Sequence, residues 1–79
     1  PPQLEAAFAD RYRDGRRAWD AEQTLQRLRS EQQRKQRELD KSTDDSQRRR
    51  LRDELSSLDS RLRNARYDLD QAERRLQNQ

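Results

Sequence analysis

The side chains able to do chemistry are carboxylates, arginines and a few aromatics, and their spacing limits what they can do. Of 79 residues, 16 are Asp or Glu and 19 are Lys or Arg, while histidine and cysteine are absent. Without imidazole or thiol there is no side chain that titrates near neutral pH and no soft donor for a transition metal. A phosphate-cradling loop needs several glycines, and the chain has one, Gly15. Asp44 and Asp45 are adjacent, but they fall in a polar stretch with no pocket that would drive their pKa values apart. These features predict no enzyme: no catalytic residues, no cofactor, no metal site and no small-molecule substrate.

Two groupings remain. Arg48, Arg49, Arg50 and Arg52 form the densest basic run, which could meet the phosphates of an acidic polymer such as nucleic acid. Arg49 with Asp53 and Arg50 with Glu54 are ordinary i,i+4 pairs, however, so a solvated helix face is the favoured reading. The second grouping is Phe8, Tyr12, Gly15 and Trp19, which recur at steps of 4-3-4, with Leu4 and Ala7 beside them. Aromatics at helical spacing either bury or anchor a partner. Leu4, Phe8, Tyr12, Gly15 and Trp19 are therefore the candidate interaction residues. The surface that covers them is expected to be an upstream segment, a second copy or a different protein. A glycine inside a helix costs roughly 1 kcal/mol against alanine, which leads us to expect something lying directly over Gly15.

The elements that must position these residues follow from one stretch. Leu51, Leu55, Leu58, Leu62, Ala65, Leu69, Ala72 and Leu76 recur at 4-3-4-3-4-3-4 without a miss. A period of about 3.5 residues keeps one stripe of an α-helix against a partner helix. With 27% hydrophobic and 44% charged residues, the chain has too little apolar surface for a globular core. That composition alone would also suit disorder, but disorder does not require eight apolar placements in phase.

Upstream, Pro2 suits a first helical turn and Glu5 suits its positive end. One helix is expected over about residues 3–41, carrying the seam Ala18, Ala21, Leu25, Leu28, Gln32, Lys35 and Leu39. Lys-Ser-Thr-Asp-Asp at 41–45 has no apolar residue and breaks it. Asp44 with Gln47 reads as a capping box opening a second helix, from about 45 to 78. So short a turn makes the helices antiparallel neighbours. The fold class expected is all-α, a two-helix antiparallel coiled-coil hairpin forming one domain over 1–79.

A register follows when facing residue numbers sum to 90. Leu39 meets Leu51, Lys35 meets Leu55, Gln32 meets Leu58, Leu28 meets Leu62, Leu25 meets Ala65, Ala21 meets Leu69 and Ala18 meets Ala72. The flanks then bring Glu31 near Arg61, Arg29 near Asp59 and Glu22 near Arg66, but also Glu38 near Glu54 and Arg17 near Arg75. Exposed pairs contribute only about 0–1 kcal/mol each, so the apolar rows decide. Lys35 is expected to pack its methylenes and send its ammonium to water, and Tyr67 to lie exposed opposite the seam. Residues before about Arg11 have no partner in this register, and the overhang carries Leu4, Phe8 and Tyr12. An uncovered apolar end usually marks an interface. A swapped rod, in which two chains exchange helices, would satisfy the same rows.

The opening Pro-Pro-Gln-Leu-Glu-Ala-Ala-Phe, then Tyr12 and Asp14-Gly15-Arg16, followed by an Arg/Glu/Gln/Leu hairpin, resembles the C-terminal part of a family of small lipoproteins of Gram-negative bacteria without an assigned function. The motif-like match spans Pro1 to Trp19. Members usually carry a short cysteine- and glycine-containing region upstream, absent from this sequence. The start at Pro1, without an initiator methionine, accordingly suggests a processed product or excised segment whose targeting information lies upstream. The resemblance implies an envelope or periplasmic location, with Leu4, Phe8, Tyr12 and Gly15 packing on the missing region and any membrane contact made through an anchor outside this chain. The expected role is a non-catalytic spacer or scaffold that binds protein, including its own kind, through the aromatic end. The alternative is a basic coiled coil on an acidic polymer, a nucleic-acid partner being disfavoured.

Overall fold

The first helix opens on two prolines. Pro2 needs no N–H at that position, and the carbonyl of Pro1 accepts from the backbone N–H groups of Leu4 and Glu5 at 3.1 and 3.2 Å. In the computed structural model, which describes residues Pro1–Gln79, α1 spans Pro2–Lys41 and α2 spans Asp45–Gln77. At 1.5 Å per residue α1 is about 60 Å long, and the whole molecule measures 65 × 15 × 14 Å. It is an all-α antiparallel hairpin, two helices wide and one layer deep.

Three residues, Ser42 to Asp44, reverse the chain. Ser42 adopts an extended conformation, φ −77 and ψ 135, and its N–H bonds back to the Leu39 carbonyl. Asp44 caps α2 by accepting from the Gln47 N–H at 3.2 Å. Only half of the expected capping box forms, because the Gln47 side chain accepts from the Ser42 hydroxyl at 3.0 Å instead of turning back to Asp44. Arg48 completes the turn from below. Its Nη1 donates to the carbonyls of Leu39 and Ser42, both at 2.8 Å, giving the Leu39 carbonyl a second donor beside the Ser42 N–H and tying the end of α1 to α2.

The core is the expected seam. Leu25, Leu28, Leu58, Ala65 and Leu69 are buried together, with Ala21 and Leu62 packed against them. Leu39 and Leu51 are buried separately under the turn. Between these two apolar zones lie polar layers. Gln32 Nε2 donates to Asp59 Oδ1 at 2.9 Å, and Lys35 Nζ donates to Glu54 Oε2 at 2.6 Å. These cross-pairs join residues whose numbers sum to 91 and 89, in keeping with the register derived from the apolar rows.

The flanking charges behave differently from expectation. Of six ion pairs only Lys35–Glu54 joins the two helices; the others are i,i+3 or i,i+4 pairs within one helix. Glu31–Arg61, Arg29–Asp59 and Glu22–Arg66 do not form. Two of the six groups have nearer partners: Arg66 has Asp70 one turn away at 3.5 Å, and Asp59 accepts from Gln32 at 2.9 Å. Glu38 and Glu54 each have a cation at hand, Glu38 with Arg34 on its own helix and Glu54 with Lys35 across the seam and Arg50 along α2. Lys35 therefore does not extend to water as expected; its ammonium is held across the seam.

Candidate functional site

Near residue 14 the hairpin stops being double. The last layer joins Gly15 to Leu76: a methyl group added at Gly15 would lie 4.0 Å from Leu76 Cδ2, an ordinary contact. Asp14 is buried beside it, 8% exposed. Its Oδ2 accepts a short hydrogen bond from Gln79 Nε2, which also donates to the Asp10 carbonyl at 3.3 Å. Gln79 thus closes the end of the seam over a carboxylate. Sequence reasoning missed Asp14, yet a signal existed: extending the 4-3 steps of Leu25, Ala21 and Ala18 one more step lands on position 14.

Beyond that layer α1 runs on alone. Residues 1–13 are all exposed, and within them Leu4 is 66%, Phe8 78% and Tyr12 71% exposed. Leu4, Phe8 and Tyr12, one turn apart, share a shallow apolar depression with Pro1, Glu5 and Ala9. The structure thus brings three of the five candidate residues into one patch. It separates the other two. Trp19 stands further along α1 under the Arg16 guanidinium, 5.2 Å from the ring centroid, with Arg16 also 3.5 Å from Asp20. Gly15 turns partly into the seam, and nothing within the chain lies close enough over it to require the missing side chain. The expectation of a close contact over Gly15 is not met inside the hairpin.

The basic run is partly spent on structure. Arg48 is half-buried in the turn and Arg50 pairs with Glu54 at 3.7 Å, leaving Arg49 and Arg52 as the free cations of the four. Arg49 and Asp53 do not pair. Tyr67 is exposed, as expected, on the flank of α2.

One carboxylate has an altered acidity. The hydrogen bond from Lys35 holds Glu54 below the ordinary value of 4.5; partial burial opposes this, and the charges of Lys35, Arg50 and Arg34 add to it. No group of three or more His, Cys, Asp or Glu side chains converges as a metal site would require. No helix is long and apolar enough to cross a membrane. The chain matches no protein-family model, no curated protein and no solved structure.

Proposed function

We propose that the hairpin is a non-catalytic spacer or scaffold in the bacterial envelope, joined to other protein through the bare first three turns of α1. The observation that carries this reading is the apolar patch of Leu4, Phe8 and Tyr12 on a helix end that projects past its only partner. A single helix of that length gains little by staying folded alone, and exposed aromatics on it are more useful as anchors than as solvated surface. The rod behind the patch supplies reach, with its longest dimension 65 Å. The envelope location rests on the resemblance of Pro1–Trp19 and on nothing else.

A photoreactive side chain at position 8, compared with one at position 67, also exposed, tests the docking end in bacteria that carry the protein in their envelope. Covalent protein adducts from position 8 and none from 67 are expected. Equal yields from both positions would remove the reading.

A further inference from the structure

We infer that the occupant of the Leu4–Phe8–Tyr12 patch is a second copy of this chain, its α1 laid antiparallel so that Phe8 of each copy packs against Tyr12 of the other. This rests on the proposed role of that end as a docking surface and names its partner. A twofold interface must be self-complementary, and three features make this face so.

The first is spacing. Phe8 and Tyr12 are one turn apart, about 6 Å along the axis, so two antiparallel copies centred on residue 10 set each ring of one beside the other ring of its partner. Offset aromatic pairs of this kind are favourable beyond the area they bury.

The second is charge. Glu5 and Arg16 are eleven residues apart, which places them only about 20° apart around the helix and on one flank of the patch. In the antiparallel register each Glu5 comes level with the partner's Arg16, twice per dimer. A parallel twofold arrangement sets the Glu5–Arg16 flank of one copy on the opposite side of the interface from that of the other, so these pairs do not form there. The one like-charge approach in the antiparallel dimer is Arg11 to the partner's Arg11, on the opposite flank, where both guanidinium groups reach water.

The third is area. An aromatic side chain buries roughly 150–250 Å². With Phe8 78% and Tyr12 71% exposed, two copies with their Leu4 side chains would bury on the order of 600–1,000 Å². That is below the ~1,200 Å² of a stable interface. The dimer is accordingly weak and concentration-dependent, which suits copies gathered in one place more than copies diluted in bulk.

Sedimentation equilibrium of the intact chain from about 10 μM to about 2 mM, a span of roughly two decades around a weak association, tests this. A monomer–dimer equilibrium is expected. Phe8→Ala should weaken it more than about tenfold, with helicity unchanged because the residue is exposed. Glu5→Arg and Arg16→Glu should each weaken it roughly two- to fivefold, and the chain carrying both should recover. As a second readout, chains with Leu4→Cys and chains with Arg16→Cys, mixed and oxidised, should cross-link to each other more readily than either does to itself. Monomers throughout, association indifferent to Phe8→Ala, or no recovery in the double charge swap would each overturn the inference. Adducts of position 8 to a different protein from a chain that stays monomeric would overturn it while leaving the docking role intact. Absence of adducts and of dimers would end both.

Discussion

Lys35 and Asp14 occupy positions that the repeat reserves for apolar residues, and each is tolerated because a partner reaches it. For Lys35 the partner is Glu54, whose acidity is raised by that hydrogen bond and by the neighbouring positive charges. A carboxylate with a folded pKa below its unfolded value stabilises the fold above the unfolded pKa and loses that contribution as pH falls through the folded one. The melting temperature of the native chain should therefore drop on acidification from about pH 4.5 downwards, and Glu54→Gln should start lower and show a shallower acid decline. Parallel acid limbs in the two proteins would contradict this. Leucines of the seam carry more weight. Leu58→Ala should cost about 2–3 kcal/mol, towards the low end for a buried leucine because the core is one layer deep. Leu4→Ala should cost less than about 0.5 kcal/mol in the monomer; urea unfolding measures both. The apolar rows of the seam were readable from periodicity, since burial of a stripe needs only residue type and spacing. The partners of Lys35 and Asp14 were not, because they depend on where flexible side chains reach.

Helix ends decide the shape at the next scale. Both boundaries of α1 and the start of α2 fall within a residue of expectation, because Pro2, the polar 41–45 stretch and Asp44 each act through the local backbone. By sequence Arg48 reads as part of a solvated basic face; its role in the turn depends on two carbonyls six and nine residues away, which no i,i+4 rule records. Asp44→Ala should cost about 1 kcal/mol, and Arg48→Met about 1–3 kcal/mol, since it leaves two carbonyls without their charged donor. Gly15 makes the opposite case. It has helical geometry, no positive φ, and room for a methyl group. Gly15→Ala should accordingly stabilise the hairpin by about 0.5–1 kcal/mol. A loss of stability in dilute solution, where copies are apart, would mean that Gly15 is tighter against α2 than the structure shows.

Taken whole, the molecule is a rod with one closed end and one open end. The closed end follows from the short turn; the open end follows from α1 outrunning α2, since residues before about Asp10, where Gln79 makes its last contact, face nothing in the second half of the hairpin. That mismatch was legible by counting outward from the turn. What could not be counted is which face of the overhang α2 would leave bare, because it depends on how the two stripes of α1 are rotated about its axis. The structure gives Leu4, Phe8 and Tyr12 to solvent and Asp14 to the seam. The claim on which all else depends is that one chain folds back on itself. Nitroxide labels at the exposed positions 27 and 63, in a chain diluted into unlabelled excess, test it by pulsed electron resonance. The account predicts an intramolecular distance of roughly 15–25 Å, the separation of adjacent helices plus two label arms. A distance near 54 Å, 36 residues along one continuous helix at about 1.5 Å each, would contradict it.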